Sequence, residues 1–145
     1  MARTTVVEVE VSEIYTLQAR EEVLLLAIDM QGNFLLEGYI SNQKMQAECM
    51  RTLLLRFETP QDALDRLMEQ KQMSARFIRP LGVIYPKDPE IERCYAFVAS
   101  DALCMNTQGL LRVDIETLLL YIEARVFQRS EDLQVLKKYL TNKRE

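Results

Sequence analysis

Asp65 and Glu69 stand four residues apart in "ETPQDALDRLMEQKQMSA", residues 58–75. Carboxylates at that spacing share a helix face and can in principle grip one divalent ion. Such an ion could activate a water or meet negative charge that develops in a reaction. The neighbouring apolar residues argue against it. Ala63, Leu64, Leu67 and Met68 recur at helical spacing and define a core-facing stripe. At ~100° per residue, Asp65 and Glu69 lie roughly 130–170° from its centre and face water. A solvated charged face is the expected reading, with no metal there.

Other residue types narrow the chemistry further. The chain has no histidine, which removes imidazole triads and histidine metal sites. Cys49, Cys94 and Cys104 cannot all pair with one another and fit no zinc spacing, so they read as reduced core residues. Arg51 and Arg56 alternate with leucines and could meet phosphates, although such arginines are commonly surface charges. Met45, Met50, Met68, Met73 and Met105 read as core or interface filler.

The elements that must position these residues follow from pattern. At 145 residues the chain suits one domain, 1–145, with one sizeable core. "TTVVEVEV" alternates as a strand. "EEVLLLAID" is a buried strand, "MQGN" a turn with Gly32 and Asn33 able to adopt positive φ, and "FLLEGYI" the returning arm. "ECMRTLLLRF" reads as a strand, with helix the competing reading. Thr59 caps a helix that has Pro60 in its first turn. "ARFIRPLGVIY", interrupted at Pro80, and "RCYAFVAS" are strands around a polar loop, "PKDPEIE". Ile115, Leu118, Leu119, Ile122 and Val126 mark one amphipathic helix, and Ser130 N-caps a second. The mixture predicts an α/β (α+β) sandwich with a mixed sheet. A net charge of -4 gives no reason to expect nucleic-acid binding. No apolar run suits a membrane helix or a signal peptide, so a cytoplasmic location is expected.

In order along residues 22 to 140, these pieces resemble the Nudix superfamily, in its ADP-ribose pyrophosphatase-like branch. "LLLAIDMQGNFLLEGYI" is similar to the early hairpin, "ETPQDALDRLMEQKQMSA" to the catalytic turn and helix. "RPLGVIYPKDPEIERCYAFVASDA" resembles the strands that follow, and "VDIETLLLYIEARVFQRSEDLQVLKKYL" the closing helices. The resemblance implies an α/β/α sandwich. The family pattern is G-x5-E-x7-R-E-U-x-E-E-x-G-U, with U aliphatic, and the Glu after Arg and the second Glu of the pair hold Mg²⁺ or Mn²⁺. Here Glu58 fits the first acid and Thr52 stands at the first Gly. With one residue missing ahead of them, Asp65 and Arg66 take the Arg-Glu pair and Leu67 the aliphatic place. Glu69 and Gln70 then take the Glu-Glu pair, Gln72 the second Gly and Met73 the last aliphatic place. Read strictly from Glu58, Arg66 keeps the Arg and the metal acids fall at Leu67 and Lys71. Both readings lack the metal acids. The stretch from Tyr39 to Leu81 also has no glycine, which predicts loss of the tight turns.

Within the resemblance, Glu92 lies in an active-site-like loop. Glu48 stands where the branch has Glu before Pro-Ala-Gly, a triplet replaced here by Met50, Arg51 and Thr52. The resemblance implies a degenerate Nudix protein without pyrophosphohydrolase activity or metal cofactor. It would bind a nucleotide-like molecule, through Glu48, Arg51, Arg56 and Glu92, or protein partners, including itself as a homodimer. The alternatives are a metal-dependent hydrolase of a nucleoside diphosphate derivative such as ADP-ribose, using Glu58, Glu69 and Glu92 with Mg²⁺ or Mn²⁺, and a structural subunit.

Overall fold

Val23, Leu24, Leu25, Leu26 and Ala27 are all completely buried, as an unbroken apolar run requires of a strand covered on both faces. They form the middle of β1, Arg20–Asp29. The computed structural model describes residues 20–144, so the "TTVVEVEV" strand reading lies outside the described residues. After β1 come β2 (Phe34–Ser41), β3 (Lys44–Glu48), β4 (Met50–Leu53) and α1 (Pro60–Gln70). β5 (Met73–Ile84), β6 (Ile91–Cys104), β7 (Leu110–Val113), α2 (Ile115–Glu123) and α3 (Ser130–Arg144) complete the order.

Among the described residues the strands make one seven-stranded mixed sheet in the order β3-β2-β1-β6-β5, with β4 paired to β1 and β7 to β2. β1 and β6 run parallel, and β5 returns antiparallel to β6. Alternation along β1 feeds two cores. Leu24, Leu26 and Ile28 meet Leu118 of α2 and Val135, Leu136 and Tyr139 of α3. Val23, Leu25 and Ala27 meet Ala63, Leu64, Leu67 and Met68 of α1. This is the expected α/β/α sandwich. Burying each large apolar side chain contributes about 1.5–3 kcal/mol, which fixes α1 on its face.

The first hairpin turns at Gly32, with φ +81°. Asn33 needs no positive φ, because the Asp29 carboxylate accepts from the N–H groups of Gln31 and Asn33 at 3.0 and 2.9 Å and sets the turn. α1 starts as expected, through a reciprocal capping box between Thr59 and Asp62. The "ECMRTLLLRF" segment is a strand only over β4, then leaves the sheet. α2 is shorter than its apolar pattern. Arg125 adopts φ +59° and ends the helical path, Phe127 bridges to Ala47, and Ile115 and Leu119 stay exposed. Ser130 is the first residue of α3, and its hydroxyl accepts from the Lys87 N–H at 3.1 Å, tying the β5–β6 connection to that helix. Cys49, Cys94 and Cys104 are buried and free. Among the described residues no helix is long and apolar enough to cross a membrane.

Candidate functional site

Glu58 and Arg66 form a two-pronged ion pair. Arg66 Nε donates to Glu58 Oε2 at 3.0 Å and Nη2 to Oε1 at 2.9 Å. The remaining Arg66 donors reach Thr52 Oγ1 at 3.0 Å and the Leu53 carbonyl at 2.8 Å. Glu58 Oε1 also accepts from the Leu55 N–H at 2.7 Å. One guanidinium thus ties the end of β4, the turn after it and α1 together. The hydrogen bonds from Arg66 and from the Leu55 N–H hold the Glu58 carboxyl below its usual range.

Glu58 and Arg66 stand at the interval that the ungapped spacing gives to its first Glu and its Arg. The positive φ that follows α1 falls at Gln72, φ +49°, the residue that the gapped spacing sets at the second glycine. The pair and the turn thus fall at places named by different spacings. Counted forward from Arg66, the first metal acid's place is Leu67. Counted back from Gln72, the second is Gln70. The tight turns persist without glycine, at Phe57 (φ +67°) and Gln72, each at a cost of roughly 1–2 kcal/mol. That corrects the expectation from glycine loss.

Leu67 is 1% exposed within the α1-side core. Gln70 is exposed, and Lys71 pairs with Glu37 at 2.8 Å. Asp65 and Glu69 are exposed, as the helical geometry predicts, and Asp65 accepts from Gln61. Glu92 is exposed on β6 and pairs with Arg93 at 3.0 Å. Glu58, Glu69 and Glu92 are not brought together: among the described residues no group of three or more Cys, Asp or Glu side chains is placed to hold a metal ion.

The strongest electrostatic feature is elsewhere. Arg51 projects from β4 among four carboxylates: Glu22 of β1 at 3.6 Å, Glu48 at 3.8 Å, Glu131 of α3 at 3.3 Å, and Asp132 of α3 in direct hydrogen-bond contact. Glu22, Glu131 and Asp132 are almost completely buried. Arg129 adds a second cation, near Glu22 and Glu131. Burial pushes the Glu22 carboxyl up to about 8, helped by a hydrogen bond shared with Glu131 and opposed by Arg51. Burial likewise raises Asp132 to about 7 against the pull of Arg51. Glu131 goes down: burial acts upward, but hydrogen bonds from Glu22 and its own backbone, with Arg51 and Arg129, outweigh it.

Beside this cluster lies an open cavity of about 380 Å³. Its walls are Arg20 and Glu22 of β1, Arg51, Thr52 and Leu53 of β4, the β5–β6 connection with Ile91, and Arg129. Of the expected ligand-binding residues, Arg51 reaches the cavity and Glu48 sits behind it, paired with Arg51. Arg56 lies apart on the turn, its guanidinium 5.0 Å over the Phe57 ring. Sequence reasoning missed Glu22, Arg129, Glu131 and Asp132. Glu22 carried a signal, as an acid leading into a wholly apolar strand. Glu131 and Asp132 did not, because acids in a first helical turn are ordinary.

No protein-family model matches the chain, and neither does any curated protein. Among solved structures, the chain is similar to an ADP compounds hydrolase, with a TM-score of 0.66 and 14% identity over 87% of this chain and 75% of that one. It is also similar to the E. coli ORF135 protein, with a TM-score of 0.61 and 13% identity over 87% of this chain and 91% of that one. At such identities the likeness carries the fold alone. The fold is Nudix-like, a mixed sheet between helices.

Proposed function

We propose that this chain is a Nudix-fold protein that binds rather than hydrolyses, with no divalent-ion chemistry at α1. The observation that carries the reading is the fate of the two metal-acid places: Leu67 is sealed into the core and Gln70 is a neutral amide. Neither supplies a charged oxygen, and a divalent ion needs several converging ones. The Glu58–Arg66 pair meanwhile works as a brace between β4 and α1.

Protein partners suit this chain better than a diphosphate. Arg51, one of the two arginines that could meet phosphates by sequence, is already surrounded by four carboxylates. A phosphate group brought to it would meet those acids as well. A nucleotide-like ligand remains the second reading, favoured by the cavity and by the guanidiniums of Arg20 and Arg129 in its wall.

With millimolar Mg²⁺ or Mn²⁺, ADP-ribose is expected to release no AMP above background, in wild type or in the Glu58→Gln, Glu69→Gln double variant. Turnover near ~1 s⁻¹ or more that disappears in the double variant would establish the hydrolase instead. Without metal, a melting shift with nucleotide worth about 2–4 kcal/mol would identify the second binding reading. No shift across a nucleotide panel favours protein partners.

A further inference from the structure

We infer that the cavity beside β1 and β4 is a receptor for a positively charged organic group, an ammonium or a guanidinium, held between Glu22 and the pair Asp88 and Glu90. The starting observation is an unmet hydrogen bond. Glu22 is 1% exposed, and its Oε1 has no hydrogen-bond partner among the described residues. Arg51 Nη1 lies 3.6 Å away, too far to donate, and is itself without a hydrogen-bond partner there. Glu22 belongs to the cavity wall, so a donor entering the cavity is placed to supply what the chain does not. It stands in phase with Leu24 and Leu26 along β1, and so faces α3 rather than α1.

Charge balance sets the sign of the occupant. The wall carries three acids, Glu22, Asp88 and Glu90, and three arginines, Arg20, Arg51 and Arg129. Behind it Glu48, Glu131 and Asp132 all lean on Arg51. Six carboxyls therefore share three guanidiniums. Arg51 is held by four of them, and Arg129 by Glu22 and Glu131. Asp88 and Glu90 are exposed and make no ion pair among the described residues. A cleft with an excess of one sign concentrates the opposite charge, and here that charge is positive.

Geometry selects an organic cation over a metal ion. A divalent ion needs several oxygens converging within about 2.6 Å, and among the described residues no group of three or more acids is placed to do that. An ammonium or guanidinium carries several donors on a larger body and reaches carboxylates that stand apart. The cavity, about 380 Å³, is on the scale of small-ligand pockets. Leu53 and Ile91 give it apolar wall for the carbon stem that carries such a group.

Without such a ligand, protons relieve the crowding. Burial pushes Glu22 up to about 8 and Asp132 up to about 7. Glu22 is faced by Arg51 from β4, Cys94 from β6, Glu131 from α3 and Arg129 just before that helix. A bound cation would take the place of these protons and expel them. Affinity for a cation should therefore rise as pH rises through that range, whereas an anion would show the opposite trend. This ligand class deepens the binding reading and rests on it. Binding is read here without metal or nucleotide, so failure of the cation site and discovery of hydrolysis are separately visible.

Titration calorimetry on the full chain with agmatine, at ~0.15 M salt, is expected to give a dissociation constant of about 1 mM or tighter. An end-blocked Gly-Gly-Arg-Gly-Gly peptide presents the same chemistry on a protein segment. Tighter binding of the peptide identifies a partner's side chain as the source, and tighter binding of agmatine a free small molecule. Glu22→Gln, and Asp88→Asn combined with Glu90→Gln, should each weaken binding at least about fivefold. The second variant changes only exposed side chains, so its result stands even where Glu22→Gln fails to fold. Glu123→Gln, exposed on α2, should change nothing. From about pH 6 to about pH 8.5 the affinity should rise at least about tenfold. No heat with agmatine or peptide up to about 10 mM would overturn the proposal. So would affinity that both cavity variants leave intact, affinity that falls as pH rises, or a preference for glutarate over agmatine.

Discussion

Arg51→Ala is expected to lower the free energy of unfolding by about 3–5 kcal/mol, read from the urea midpoint at unchanged slope. The guanidinium is the nearest cation to Asp132 and is shared by Glu22, Glu48 and Glu131. Among the described residues, removing it leaves Asp132 fully buried without a counter-charge and leaves Glu22 and Glu131 with only Arg129. Desolvation, already the largest influence on Glu22 and Asp132, would then go largely unopposed. The cluster joins β1, β4 and α3, so the loss loosens α3 from the sheet. Arg51→Lys should recover only part, because a single ammonium cannot address acids on three elements. A cost below about 1 kcal/mol for Arg51→Ala would mean that the cluster is an exposed surface network.

The same cluster sets a pH dependence. A carboxyl whose folded pKa is raised binds its proton more tightly when folded. Its contribution is fully present below the unfolded pKa and is lost as pH rises through the folded value. For Glu22 the window runs from 4.5 to about 8, and for Asp132 from 3.8 to about 7. Glu131, shifted downward, acts the other way and loses its contribution as pH falls through its folded value. Cys94 also faces Glu22, and burial pushes its thiol up and away from that window, while Arg129 faces Glu22 as a second cation. Stability should therefore fall by a few kcal/mol between about pH 5.5 and 8.5. Glu22→Gln should flatten that slope. A wild-type melting curve that shifts upward over the same range would contradict the cluster's protonation.

Much of this architecture was legible in the chain, because it rests on local periodicity. β1 was readable from an unbroken apolar run, α1 from its stripe and cap, and the hairpin from Gly32. The outward direction of Asp65 and Glu69 followed from helical geometry alone. Three things were not legible. The burial of Glu131 and Asp132 depends on Arg51, some eighty residues away in sequence, and no local pattern encodes such a pairing. The end of α2 depends on Arg125 turning left-handed so that Phe127 can reach Ala47. The Glu58–Arg66 pair is a tertiary contact and the positive φ at Gln72 a backbone angle, and neither is encoded in a local pattern.

Leu67→Glu combined with Gln70→Glu is expected to destabilise the chain by roughly 3 kcal/mol or more, without creating a metal site. The cost comes almost entirely from position 67. Leu67 is 1% exposed among Val23, Leu25, Met50 and Leu64, which offer no hydrogen bond and no counter-charge. A glutamate there must ionise in an apolar core or stay protonated, and in neither state does it present a charged oxygen to solvent. Gln70→Glu alone should be near neutral, since the side chain is exposed. The measurement is urea unfolding of both single variants and the double variant, each with and without millimolar Mg²⁺. A position facing a metal-competent groove behaves differently: the two acids would repel until an ion bridged them, and Mg²⁺ would then raise the stability of the double variant alone. That outcome would show that the groove beside α1 survives and lacks only its ligands. An unchanged midpoint with Mg²⁺ is expected, because the side chain at 67 sits in the core that anchors α1 to the sheet.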